Sequence, residues 1–228
     1  MEQWIERIQG IPNNPPLYAD NYLVVTLLVC FFILSAVLSD KDGFISDILK
    51  GFFLPRENSE NSPNTTMRKL YMHIGMLLVS FISGALLLSV YVSQSKGLNL
   101  PDIRLTGTFF AAIIALYVIK QGLFWIVNWI FFDRQQTALW YSCYSNWVAL
   151  SGIPLYICIL FSVFMNWSAC IIAWTALIEL FFMEIGLFFR AFHIFLTKRH
   201  GSLQLFVYLC TLEVMPLLFI GKALILYI

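Results

Sequence analysis

Charge is what this chain has least of. Fourteen basic and thirteen acidic side chains make up 12% of its 228 residues, about half the share of an ordinary soluble domain. The net charge of +1 leaves no basic surface for nucleic acid, and no nucleic-acid partner is expected. Its five cysteines, Cys30, Cys143, Cys158, Cys170 and Cys210, show no CxxC spacing. Four of them fall in apolar segments, where a thiol packs as a small hydrophobe, so neither a disulfide framework nor a metal site is expected. HExxH, GxSxG and P-loop patterns are missing too, and the sequence assigns no catalytic residues and no cofactor. The first twenty residues, MEQWIERIQGIPNNPPLYAD, carry one basic and three acidic groups. No small-residue cleavage pattern follows the first apolar run, which is therefore expected to stay in the protein as a helix.

What is abundant is apolar surface. Hydrophobic residues make up 60% of the chain and aromatic ones 17%, with phenylalanine the commonest aromatic. So little polar surface cannot cover a soluble core. The apolar runs lie at 21–39, 71–93, 106–131, 146–165, 167–194 and 203–227, each near the ~20 residues that cross a hydrocarbon layer. The expected architecture is all-α, a polytopic transmembrane helical bundle of about six spans forming one domain over residues 1–228. Met165-Asn166-Trp167 is read as a tight hairpin, because one helix through both neighbouring runs would far exceed a bilayer's thickness.

Basic residues orient these spans. Lys41, Lys50, Arg56, Arg68, Lys69, Arg134, Lys198 and Arg199 fall on one side, against Arg7, Lys96 and Arg104 on the other. Eight against three puts both termini outside the cytoplasm. Residues 1–20 then form an outer-side tail, and 40–70 a cytoplasmic connection. Within that connection Phe44, Ile45, Ile48, Leu49, Phe52 and Phe53 recur at helical spacing, which predicts an interfacial amphipathic helix over 44–54.

Six charges lie inside or at the rim of the apolar runs: Lys120, Glu179, Glu184, Arg190, Glu213 and Lys222. An isolated charge at that depth costs a few kcal/mol, so such groups pair or line a polar path. Lys120, Glu179 and Glu213 fall near mid-depth and form a candidate intramembrane polar cluster, with Lys120 paired to one of the two carboxylates. Its bland role is a lock between helices; its sharper role is a proton or solute path. Arg190, Lys198, Arg199 and Lys222 lie near span ends, where they reach lipid headgroups. Glu184 points away from the Glu179 stripe and has no assigned role. His73 and His193 share a depth that would allow paired haem ligation, the one weak cofactor signal present. Small residues in span two (Ser80, Ser83, Gly84, Ala85) and span three (Ala111, Ala112, Ala115) are expected to allow close helix approach.

The segments LYVIKQGLFWIVNWIF at 116–131 and LCTLEVMPLLFIGKAL at 209–224, with the charged span around Glu179 and Arg190, carry a resemblance over most of the chain. It resembles a Bacteroidota family of compact multi-span inner-membrane proteins with a domain of unknown function. The resemblance implies a bacterial inner-membrane location and supplies no activity. The functional expectation is a non-enzymatic membrane subunit that contacts lipids and an integral membrane partner in a cell-envelope assembly. The alternative is a small transporter or proton-coupled component working through the intramembrane carboxylates.

Overall fold

Asp20 opens the first helix, its carboxylate accepting from the Tyr22 backbone N–H at 3.0 Å, as an N-cap does. The computed structural model describes residues 17, 20–39, 63–96, 101–131, 134–165 and 167–195; the side chains of 63–66, 126–131, 134–139 and 190–195 fall outside that description. Five helices are described: α1 (Asn21–Leu38), α2 (Pro63–Ser95), α3 (Ile103–Phe131), α4 (Arg134–Phe164) and α5 (Ala169–Phe195). Each contains a segment long and apolar enough to cross a membrane. The protein is thus an all-α, multi-span helical membrane protein. The expected sixth span at 203–227 and the 44–54 helix lie outside the described residues.

The break after α4 falls where expected, with α4 ending at Phe164 and α5 starting at Ala169. The start of α4 differs. It begins at Arg134, well before the apolar run at 146, because Trp140, Cys143 and Tyr144 are buried and carry the helix on towards the preceding turn.

Helices α2 and α4 form the centre, each touching all the other described helices. Side-chain contacts set the directions. Gly75 early in α2 faces Ile33 late in α1, and Tyr141 early in α4 reaches Gln121 late in α3. Trp147 early in α4 bonds the Met183 carbonyl late in α5. Starts of α2 and α4 therefore share one end of the bundle with the finishes of α1, α3 and α5.

The α2–α4 contact is close because Gly152 has no side chain. A Cβ there would lie 3.0 Å from the Ser80 backbone nitrogen and 3.1 Å from the Met76 carbonyl oxygen. Ser80 Oγ also sits 3.3 Å from Ser151 Oγ. Such small-residue contacts let backbones approach in lipid, where hydrophobic exclusion no longer drives association. On the other flank, α1 buries Leu23, Leu27, Cys30, Leu34 and Val37, a three-four spacing that turns one stripe inward. Tyr156 of α4 ties that stripe down by donating to the Leu27 carbonyl at 3.2 Å.

Span two meets its expectation: Ser80 and Ser83 are buried, and Gly84 lies against Ile113. Span three does not. Ala111, Ala112 and Ala115 are exposed, and α3 instead turns Ile113, Tyr117, Lys120, Gln121 and Phe124 inward. Larger side chains at three-four spacing fill the gap to α2 and α4, and the alanines take the outer face.

Outward faces are dominated by Phe, Leu, Ile and Trp, including Phe31, Phe32, Trp125, Trp174, Phe181 and Phe189. That surface suits lipid contact. The expected consequence of the tight α2–α4 crossing is that Gly152→Val loses about 1–3 kcal/mol through overpacking. Gly107, with nothing within 4 Å of a built Cβ, is the control. Gly107→Ala should leave thermal unfolding in detergent unchanged or slightly raised.

Candidate functional site

Polar side chains gather at the shared end of α2, α3 and α4. An aromatic group packs there: Phe124 against Trp140 with centroids 6.0 Å apart, Phe124 against Tyr144 at 5.2 Å, and Tyr117 stacked on Tyr144 at 6.1 Å. Edge-to-face and offset contacts of this kind hold ring orientations. They fix the hydroxyls that point past them.

Beside these rings opens a cleft of about 560 Å³, lined by His73 of α2, Tyr117 and Gln121 of α3, and residues 141, 142, 145 and 146 of α4. His73 Nε2 lies 2.7 Å from Ser145 Oγ, and Tyr117 donates to the same oxygen at 3.3 Å. Ser145 Oγ has two acceptor sites and one hydrogen, so it takes the Tyr117 hydrogen and also meets His73 Nε2 in either imidazole tautomer. Tyr141 donates to the Gln121 backbone carbonyl at 2.9 Å, while Gln121 Oε1 is buried without a hydrogen-bond partner among the described residues. None of the described residues lining the cleft is Asp, Glu, Lys or Arg.

Lys120, one residue from this lining, points towards α5. Its Nζ lies 3.8 Å from Glu184 Oε1, with the two side chains 15% and 24% exposed, and 5.5 Å from the centroid of the Tyr144 ring. Of the two expected partners of Lys120, Glu179 is replaced by Glu184 in the described structure, and Glu213 lies outside the described residues. The reason is depth: residue 184 is five positions further along α5, about 7.5 Å at the standard rise, level with Lys120 on α3, which runs parallel to α5. The backbones of α3 and α5 hardly approach. Two long side chains span that gap.

Glu179 occupies a different setting. It falls on the inward stripe of α5 with Ile172, Ala176, Met183 and Leu187. It borders a recess of about 320 Å³ whose other walls include Trp147, Leu150, Ile153, Pro154 and Phe182. Both carboxyl oxygens are buried, with no side-chain hydrogen-bond partner among the described residues; the Leu155 backbone N–H lies near them. Trp147 seals one side of this region, its indole N–H donating to the Met183 carbonyl at 2.9 Å and its ring lying directly over Gly186. Pro154 has no N–H, so the Leu150 carbonyl cannot receive its usual helix bond.

Of the other candidate residues, Glu213, Lys198, Arg199 and Lys222 lie outside the described residues, as do the side chains of Arg190 and His193. His73 is described, and the nitrogen a haem iron would take, Nε2, is held by Ser145. Among the described residues no group of three or more His, Cys, Asp or Glu is placed to hold a metal ion. Sequence reasoning missed Tyr117, Gln121, Tyr141, Ser142, Ser145 and Asn146 as a site. The available signal was the dense polar-aromatic stretch Tyr141-Ser142-Cys143-Tyr144-Ser145-Asn146 at the mouth of an apolar run.

A family model described as Domain of unknown function (DUF4271) matches residues 23–224. No curated protein and no solved structure matches the chain.

The Lys120–Glu184 pair makes a measurable demand. Lys120→Met and Glu184→Gln should each lower stability, and the double variant should lose less than the sum, with a coupling of about 1 kcal/mol from a double-mutant cycle in lipid. Strictly additive losses would show that the two groups do not interact.

Proposed function

Since the chain belongs to the DUF4271 family, we propose that it is a non-enzymatic integral membrane subunit that binds or stabilises a partner in a bacterial cell-envelope assembly. Glu179 carries the reading. Ten residues into the apolar segment Ala169–Phe189, it sits about 15 Å from either end at the standard rise, with both oxygens buried and without a side-chain partner among the described residues. A charge at that depth costs about 2.5–3.5 kcal/mol on insertion scales. The recess beside it is apolar. A mid-depth carboxyl without a side-chain donor favours a neighbouring apolar helix that brings a lysine, arginine or amide side chain to the same depth.

The excess of basic residues on the 40–70 connection, at Arg134 and on the 195–202 connection supports an inner-membrane orientation with both termini in the periplasm. The resemblance to Bacteroidota inner-membrane proteins agrees with that location. Proton-coupled transport is the second reading, favoured by the same carboxyl. A buried acid at mid-depth is a natural proton carrier, although the described helices offer only one such unpaired carboxylate.

A photo-reactive amino acid at Phe182, on the rim of the recess, distinguishes these outcomes in native membranes. The expected result is one adduct with a distinct integral membrane protein, reduced at least ten-fold by Glu179→Leu. Adducts confined to lipid or to residues 203–227 of the same chain would overturn the partner reading. Proton flux in reconstituted vesicles that disappears in Glu179→Gln would replace it with the transport reading.

A further inference from the structure

The cleft at His73 and Ser145 lies apart from the Glu179 recess, and its chemistry is different. We infer that it is a binding site for a neutral membrane amphiphile whose headgroup carries a hydroxyl, with a flat hydroquinone-type ring the best fit. Four observations lead there.

The first is charge. Seven described side chains from three helices line the cleft, and none of them is Asp, Glu, Lys or Arg. A phosphate or carboxylate ligand would need charge-assisted donors to repay its desolvation. Lys120, next in sequence to the lining Gln121, is turned to Glu184 and the face of Tyr144. An anionic headgroup is therefore a poor match.

Depth is the second. His73 is six residues inside the apolar segment Met67–Ser95, and Ser145 is five inside Trp140–Phe164. Those segments, of 29 and 25 residues, outrun the ~20 residues that cross hydrocarbon, so both residues fall near the headgroup edge of the hydrocarbon layer. That is the depth at which an amphiphile holds its polar group while its tail remains in lipid.

Third, the site has matching polarity. Gln121 Oε1 is a buried acceptor without a partner among the described residues. A ligand hydroxyl donates to it, and the same hydroxyl can accept in turn. A ketone or ether has no hydrogen to give.

The fourth is shape. Tyr117 and Tyr141 line the cleft, backed by Phe81 at 5.2 Å from the Tyr117 ring and by Tyr144. Aromatic walls held by their own neighbours favour a flat ring over a branched headgroup. At about 560 Å³ the space falls within the range of small-ligand pockets.

The test uses the full chain in phosphatidylcholine nanodiscs, with binding followed by native mass spectrometry and by the shift in unfolding temperature. Three probes separate the possibilities: a decyl-substituted hydroquinone, its dimethyl ether, and monoolein. The inference expects saturable one-to-one binding of the hydroquinone and at least ten-fold weaker binding of the ether, which has no hydroxyl hydrogen to give. Gln121→Leu should erase that difference by weakening the hydroquinone alone. Ser145→Ala, a smaller change that preserves helix packing, should also weaken it at least ten-fold while the ligand-free unfolding temperature stays within a few degrees. Tighter binding of monoolein than of the hydroquinone would keep the hydroxyl-amphiphile site and assign it to a glycerolipid. The inference is overturned if no probe binds saturably, as for a water-filled vestibule, or if the ether binds as well as the hydroquinone.

Discussion

The close crossing of α2 and α4 at Gly152 is the contact on which the other features depend. Lipid gives no solvent-exclusion drive for helices to associate, so association needs backbones near enough for extensive dispersion contact and polar side chains that meet across the gap. Gly152 against Ser80 and Met76 supplies the first, and the facing Ser80 and Ser151 hydroxyls begin the second. Two turns along, the same crossing brings His73 to Ser145. Helices α3 and α5 then pack on either flank of this central pair, and α1 closes the remaining side.

This arrangement sorts the polar groups into three kinds. Tyr117, Ser145 and His73 satisfy one another in a chain at one end of the bundle. Lys120 and Glu184 are opposite charges that bridge a gap too wide for backbone contact. Glu179 is the exception, a mid-depth carboxyl facing an apolar recess. Buried polar groups without partners are rare in folded proteins because each costs the full desolvation of the group. That rarity makes the Glu179 recess the natural place for something beyond the described helices.

The helices were legible because hydropathy alone marks a stretch that must hide its backbone from lipid. The runs at 21–39 and 167–194 correspond closely to α1 and α5, and the break between α4 and α5 was readable from Met165-Asn166-Trp167. Facing was not legible. Ala111, Ala112 and Ala115 have the composition of a packing stripe yet lie exposed, since small residues are equally tolerated by lipid. Depth placed Lys120 level with several carboxylates, but choosing Glu184 over Glu179 required the register of the parallel helices α3 and α5. The cleft was hidden for a related reason: its residues come from three helices, and in α4 they fall in a stretch whose polarity reads as a connection until the buried Trp140 and Tyr144 show it to be helix.

The central claim is that the α2–α4 crossing builds the polar end of the bundle in the membrane. Cysteines placed at positions 80 and 151, in a chain otherwise free of cysteine and held in native lipid, test it most directly. Serine and cysteine side chains are nearly the same length, so the 3.3 Å between Ser80 Oγ and Ser151 Oγ predicts rapid disulfide formation on mild oxidation, with none for a control pair at 80 and the outward-facing position 174. Failure of the 80–151 pair to cross-link in folded protein, or equal cross-linking of the control, would contradict the account.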